Sequence, residues 1–459
     1  MAELSNAQII NEVLSHGFDG CEVYRLESKN TNISVCHQTL ELLDRQTEKG
    51  VGIRFFKGKR VGFGHLDNFE QTNVLNVIKT IYAVIDNLPE QEDTILAGKQ
   101  VSDAKYHAKS PDNPFYDPEI ESIPLSAKID KVKAVENAAF AYSDMVRVSR
   151  VASYEEAIRS VHIANSNGLD VRYLQSKWRA MYIVIGGTET QRQMKTAELG
   201  GIFFRDFTAQ ELGREAAKKA IISAGGQAIP SGEMTVLLHS KAANQIFSRI
   251  SNGFVGDTVD RNMSIFKDKL GRQIAVPQLT IVDDPLMPGG YKSSAYDDEG
   301  IPCQKVVLVD KGVLQSYLYS LTSAKKNNTQ PTGSSRRSSY RAQPTASLSN
   351  LYVEKGDMSP EDMIRQIDYG LYFYNALDVR ATNLVSGDFS INGDGVLIEK
   401  GKLTKPVTTV SIAGTIPEFL NRITCIGNDM TFEPIHPFFG GGNVASPTIM
   451  VTPLVVGSS

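Results

Sequence analysis

Gly50-Val51-Gly52-Ile53-Arg54-Phe55-Phe56-Lys57-Gly58-Lys59-Arg60-Val61-Gly62-Phe63-Gly64 reads as two short strands, Gly50 to Phe56 and Arg60 to Gly64, joined by a basic, glycine-containing hairpin turn. The period then changes. Between Asn68 and Asn87 the apolar residues Val74, Leu75, Val77, Ile78, Ile81 and Val84 recur every three or four positions, which predicts a helix. Strands in close succession beside a helix give this part of the chain an α+β character.

Upstream, residues 5–16 predict a short amphipathic helix. Ser5 or Asn6 stands at its start, Ile9, Ile10, Val13 and Leu14 form its stripe, and Gly17 follows its end. Glu22 to Leu26 and Thr31 to Val35 read as two further strands. Downstream, residues 88–125 lose the periodicity and carry Pro89, Pro111, Pro114, Pro118 and Pro124, so they read as a connector. A second helix-plus-sheet unit follows: a helix over Lys128 to Tyr142, then strands at Val146 to Ser153, Arg159 to Ala164, Val171 to Leu174 and Ala180 to Gly186. Asn165-Ser166-Asn167-Gly168 is a turn signal between two of them. A helix over Ala209 to Ala224 closes the unit at Gly225-Gly226.

After residue 233 the texture becomes that of many short strands separated by Gly and Pro turns. A strand over Met234 to Leu238 and a helix over Lys241 to Ile250 come first. Strands then read at Leu279 to Val282, Lys305 to Val309, Gly312 to Tyr319, Leu384 to Ile391, Gly395 to Ile398, Val407 to Ile412 and Thr448 to Val456. Short helices read near Pro360 to Tyr369 and Pro417 to Arg422. This pattern predicts an antiparallel barrel or sandwich. Lys326 to Asn350, rich in Ser, Thr, Arg and Asn, reads as a long exposed or functional loop. The expected organisation is therefore an α+β unit over 1–87, a connector over 88–125, a middle α+β unit over 126–226 and a mainly β domain over 227–459. The two N-terminal units read as similar helix-plus-sheet units.

Composition narrows the function. The chain has 459 residues, enough for two or three domains, with a formal net charge of -4. No basic excess is available for phosphate backbones, so direct nucleic-acid binding is not expected. The four cysteines, Cys21, Cys36, Cys303 and Cys425, form no C-x-x-C pair and fit a reducing, cytoplasmic compartment. The first residues, Met-Ala-Glu-Leu-Ser-Asn, lack the basic and apolar regions of a signal peptide. Apolar runs such as Met181 to Ile185 fall far short of the roughly 20 residues of a membrane span, so no membrane partner is expected.

Several phrases, in order along nearly the whole chain, resemble the TldD/PmbA family, whose older label is modulator of DNA gyrase. They are Asn32-Ile33-Ser34-Val35, the Gly50 to Phe63 stretch, Ile163-Ala164-Asn165-Ser166-Asn167-Gly168, Asp297-Asp298-Glu299-Gly300-Ile301-Pro302, Pro331-Thr332-Gly333-Ser334-Ser335-Arg336-Arg337-Ser338-Ser339-Tyr340, Ser386-Gly387-Asp388-Phe389 and Ile426-Gly427-Asn428-Asp429. The resemblance implies an α+β N-terminal half, a mainly β C-terminal half, and a peptidase complex of two related subunit types. The TldD-like type binds zinc through an H-E-x-x-x-H helix and a later Cys; the PmbA-like type, also called TldE, lacks those ligands.

At the matching place this chain reads His239-Ser240-Lys241-Ala242-Ala243-Asn244. Ser240 stands where the carboxylate base belongs, and Asn244, a poor zinc ligand, where the second His belongs. Anchoring on Gly256-Asp257 instead puts Phe247, Ser248 and Asn252 in the three slots, which is worse. Cys425 precedes Gly427-Asn428-Asp429, whereas the family's ligand follows that phrase. The expectation is therefore no metal in this chain and zinc in a related partner, with His239 and His436 as weak remnant candidates. The plain alternative makes His239 a strand end and His436 part of a Pro-rich loop.

The acidic residues Asp283, Asp284, Asp297, Asp298 and Glu299 are candidates for a cation or an acid/base pair, or else turn caps. Arg336, Arg337, Tyr340 and Arg341 are candidates for a substrate groove, because arginine forks suit carboxylates. Ser338 or Ser339 is not read as a nucleophile, since no G-x-S-x-G elbow exists. Gly440-Gly441-Gly442 lacks the Lys and Ser/Thr of a phosphate loop. Catalytic residues are not assigned. The functional expectation is the non-metal-binding partner subunit of a cytosolic metallopeptidase complex acting on peptides, paired with a zinc-bearing TldD-like relative or with itself. The alternatives are a stand-alone hydrolase using His239, His436, Asp297, Asp298 and Glu299, or a peptide-binding homodimer without catalysis. Nothing in the residues points to gyrase.

Overall fold

The computed structural model describes residues 3–222, 224–434 and 441–458. Its N-terminal half is one large sheet. Strands β1 (Gly20–Cys36), β2 (Thr39–Lys57), β3 (Arg60–Leu66), β4 (Gln100–Val101), β5 (Val146–Asn165), β6 (Leu169–Gly187) and β7 (Arg192–Gly201) pair in the order β3-β2-β1-β5-β6, with β4 and β7 both on β6. Both expected N-terminal units thus feed a single sheet, since β1 runs antiparallel to β5 over fourteen paired residues from Glu22 to Val35. The connector residues 88–125 supply β4 and one 3-10 turn, Ala104–His107, and Tyr116 and Ile120 pack on Ile158 and Leu174 of the sheet.

The strands are longer than their local patterns suggest. Glu22–Leu26 and Thr31–Val35 are parts of one strand, and so are Val146–Ser153 with Arg159–Ala164, and Val171–Leu174 with Ala180–Gly186. In each case polar residues such as Lys29 and Asn30 interrupt the apolar run without interrupting the backbone ladder. Helices α1 (Asn6–Ser15), α2 (Gln71–Val84), α3 (Leu125–Phe140) and α4 (Ala209–Ile221) cover one face. Ser5 and Gln8 close a capping box at the start of α1. Val23, Val51 and Ile53 pack with α1 and α2, while Ile33, Tyr154 and Trp178 pack with α3 and α4. The opposite face, led by Tyr24, Leu26, Val161 and Ile163, meets the C-terminal half.

That half begins with β8 (Gly232–Leu238), α5 (Ser240–Ser251) and α6 (Gly256–Asp260). It continues through β9 (Ile281–Asp283), β10 (Val306–Asp310), β11 (Val313–Leu314), α7 (Leu321–Lys326), β12 (Ser335–Arg336), β13 (Thr345–Ala346), β14 (Asn350–Val353) and α8 (Pro360–Arg365). It ends with β15 (Tyr369–Asp378), β16 (Asp388–Glu399), β17 (Lys402–Thr415), α9 (Ile416–Asn421), β18 (Ile423–Ile426), β19 (Glu433–Pro434), β20 (Asn443–Ala445) and β21 (Ile449–Ser458). Five strands close on themselves in the order β17-β16-β15-β8-β21, because β21 pairs back to β17, and β18 adds to β21. A second sheet, β11-β10-β9-β14-β20-β19, lies beside this barrel. Helix α5 fills the space against both, with Ile246, Phe247 and Ile250 in the largest core. The fold is α+β with a barrel-bearing C-terminal half.

The segment after α7 departs from its composition. Residues 325–330 are exposed, but Ser334, Ser335, Arg337 and Tyr340 are buried, so the reading of 326–350 as one exposed loop is corrected. Its polar groups are buried because they have partners: Arg337 pairs with Glu22 of the N-terminal half, and Ser335 Oγ donates to Glu299 of its own half. No described helix is long and apolar enough to cross a membrane.

Candidate functional site

Most described residues singled out by the sequence lie at two places, the junction between the halves and the start of α5; Asp283, at the end of β9 with Asp284 after it, instead accepts from the Ser349 amide and hydroxyl.

At the junction, Glu22 of β1 and Arg54 of β2 face each other across the strand pair. Arg54 donates to both Glu22 oxygens, at 2.9 and 2.5 Å, and through its remaining amine to Glu299 Oε1 at 3.2 Å. Arg337 donates to Glu22 Oε1 at 2.5 Å and lies over the Tyr24 ring. Glu299 Oε2 accepts from Ser335 Oγ at 2.6 Å and from the Leu321 amide at 2.9 Å. Asp298 accepts from Tyr173 Oη, Tyr24 Oη and the Arg337 amide at 2.6, 3.3 and 2.6 Å. Asp297 accepts from the amides of Glu299, Ile301 and Ser335. The acidic phrase and the arginine phrase are therefore one buried network.

Its charge balance is visible in one group. Burial, then the neighbouring Glu299 carboxylate, pushes the Asp297 carboxyl up to about 7. Arg336 donates to the Ser335 carbonyl and reaches Cys303 Sγ at 3.5 Å. These side chains are occupied by the fold, so the acids do not form an open cation cage. Arg341 alone of the four groove candidates is exposed, donating to Tyr340 Oη.

The glycines of the opening phrase belong to the same junction. A Cβ at Gly50 would stand 2.3 Å from the Tyr340 ring, and one at Gly52 the same distance from the Tyr340 carbonyl oxygen. Their lack of a side chain lets the C-terminal segment lie directly on β2.

At the second place, His239 caps α5. Its Nδ1 accepts from the Lys241 amide at 3.2 Å, and its ring packs 4.1 Å from that of Tyr374. Burial, then Lys218, Lys241 and Lys219, pushes its pKa well down, which keeps it neutral and fits the acceptor role. It borders a cavity of about 190 Å3 that also touches Glu198, Glu211, Glu215 and Asp429. Ser240 and Asn244 are buried one and five positions on. Asn244 Nδ2 donates to the Thr431 carbonyl at 3.0 Å, and its Oδ1 accepts from the Ser446 amide at 2.5 Å.

A zinc ion needs about three lone-pair donors converging on one point. Here Asn244 has both amide atoms engaged by backbone, Ser240 brings no carboxylate, and one His239 nitrogen is taken. The residues do not fit that metal in the manner of an H-E-x-x-x-H helix. Among the described residues no three His, Cys, Asp or Glu side chains are grouped to hold an ion. Of the second anchoring, Phe247 lies in the core and Ser248 Oγ donates to the Gly441 carbonyl. His436 lies outside the described residues. Glu22 and Arg54 went unrecognised from sequence; a charged pair inside an otherwise apolar strand pair was the available signal.

A barrel-bearing half locked by buried charge to a helix-covered sheet defines an α+β protein of two interdependent halves. The chain belongs to the PmbA/TldD metallopeptidase family: models of the family's domain 1, central domain and C-terminal domain match residues 21–87, 118–224 and 231–458. It is similar to a Haemophilus influenzae metalloprotease TldD homolog, 25% identical over 93% of this chain and 90% of that protein. It is also similar to the same organism's metalloprotease PmbA homolog, 23% identical over 89% and 87%. The fold matches the crystal structure of TldE from Thermococcus kodakarensis at a TM-score of 0.86 and 20% identity, over 98% of this chain and 99% of that one. A Thermotoga maritima structure carrying the modulator of DNA gyrase label matches at 0.84 and 22%, over 98% and 99%.

Proposed function

We propose that this chain is the PmbA-type, non-metal-binding subunit of a two-component peptidase, acting with a zinc-bearing TldD-like relative on peptides in the cytoplasm. The observation that carries the reading is Asn244. It stands where the second zinc ligand of the active type would stand, and its carboxamide ties Thr431 to Ser446 instead. Ser240 in place of the general base removes the other half of the chemistry. Both family types are among the relatives, so subtype rests on this ligand set. The four free thiols favour a reducing compartment.

The partner shapes the substrate path rather than cleaving. An extended peptide can add to a sheet edge and read as a strand, and β2 between Thr39 and Lys49 has no neighbour on its outer side among the described residues. The test is hydrolysis of an unfolded peptide by the purified chain, by a purified TldD-like relative and by the mixture. Chelator-sensitive cleavage confined to the mixture is expected. Cleavage by this chain alone would overturn the reading.

A further inference from the structure

The sheet face that meets the C-terminal half changes character along the strands. Near Tyr24 and Leu26 it is apolar and covered. Further along, Ser28, Asn30 and Asn32 of β1 stand opposite Arg159, Ala157 and Glu155 of β5, which in turn stand opposite Gln175, Lys177 and Arg179 of β6. Alternation places these side chains on one face. Over them lies a cavity of about 330 Å3, with Tyr291 and Ser338 of the C-terminal half on its wall.

The basic groups there are under-partnered. The Lys177 amine has no hydrogen bond or ion pair among the described residues, and neither has that of Lys292. Both stand 5.7 Å from the Tyr291 ring. Burial, then Lys292 and Arg159, pushes the Lys177 ammonium well down, and burial, then Arg159 and Arg336, pushes Lys292 to about 8, with Asp298 acting against both shifts. Arg159 donates to Tyr24 Oη at 3.2 Å. The nearby acids are mostly engaged: Glu198 pairs with Arg179, Glu156 with Lys128, and Asp298 is held by two tyrosines. Glu48 and Glu155 remain on the cavity wall. Two crowded ammonium groups without an acceptor are what a carboxylate relieves, through short charge-assisted hydrogen bonds. Glu48 and Glu155 disfavour a polyanion such as nucleic acid. The hydroxyls and carboxamides around them suit a peptide backbone.

We infer that this cavity binds a carboxylate of an extended peptide, using Lys177 and Arg159, which line it. This rests on the peptide-handling role proposed above and adds a charge preference to it. The carboxylate belongs either to an acidic side chain or to a peptide C-terminus, and the experiment separates them. Anisotropy of three labelled peptides is measured with the full chain: a capped peptide with central Glu-Asp, its capped Gln-Asn analogue, and the Gln-Asn analogue with a free C-terminus. One of the two carboxylate-bearing peptides binding at least about tenfold more tightly than the capped Gln-Asn analogue is expected. Lys177→Met should abolish that preference while leaving the melting temperature unchanged or higher, because it relieves repulsion. A structural lysine would instead lower it. Equal binding of all three peptides, or a preference that survives Lys177→Met, overturns the carboxylate site and leaves the partner role standing. No binding of any peptide overturns both.

Discussion

Glu22 accepts a hydrogen bond from Arg337 at 2.5 Å, although 315 residues separate them, and neither side chain reaches solvent. The pair joins the first strand of the sheet to the segment that follows α7. It ties the two halves together, because parting them breaks the Arg337–Glu22 and Arg54–Glu299 contacts that cross the junction.

Glu22→Gln keeps the shape and removes the charge. Arg54 and Arg337 then lose their shared carboxylate in a buried setting, which costs about 3 kcal/mol or more. Chemical denaturation should show that loss in a single transition for the whole chain. A separate early transition of one half would contradict the cooperative junction.

Gly52→Ala tests the close approach of Tyr340 to β2. The added methyl would meet backbone at 2.3 Å, so the two segments must part. A loss of about 1–3 kcal/mol is expected from overpacking. Gly58→Ala, with nothing within 4 Å but a φ of 57°, should cost about 1 kcal/mol through backbone strain alone. Comparing the two melting curves checks the order.

Asp283 supplies a pH dependence. Burial raises its carboxyl to about 6, against the hydrogen bonds it accepts from the Ser349 amide and hydroxyl. A carboxylate with a raised folded pKa binds its proton more tightly when folded. Its contribution is therefore full below the unfolded value near 4 and lost as pH rises through 6. Asp283→Asn should remove that decline, so its stability relative to the parent rises by on the order of 2–3 kcal/mol between pH 4 and 7. Denaturation at several pH values measures it.

Asn244→Ala leaves the Thr431 carbonyl and Ser446 amide without their bonds. About 2–4 kcal/mol of stability should be lost, as for two buried polar groups left unsatisfied. An unchanged midpoint would show that the carboxamide is free for another purpose.

How far the sequence carried can be read from these same residues. The helices were legible because their apolar stripes are local: α2 lies within the periodic stretch Asn68 to Asn87. Strand lengths were not, because a ladder continues through Lys29-Asn30 or Glu155-Glu156 when one face is polar. Edge strand β7, with Arg192, Lys195 and Glu198, has no apolar alternation to reveal it. Tyr369, read as the end of a helix, opens strand β15 instead. The degenerate ligand set at His239 was legible because helical spacing is local. The junction was not: the partners of Asp298 and Arg337 are Tyr24, Tyr173 and Glu22, and only the tertiary fold brings them together.

The most direct test of the central claim is the metal content of the chain, purified alone and before any metal is added, by elemental analysis. The account predicts no stoichiometric zinc. About one zinc per chain, lost on His239→Ala, would contradict it.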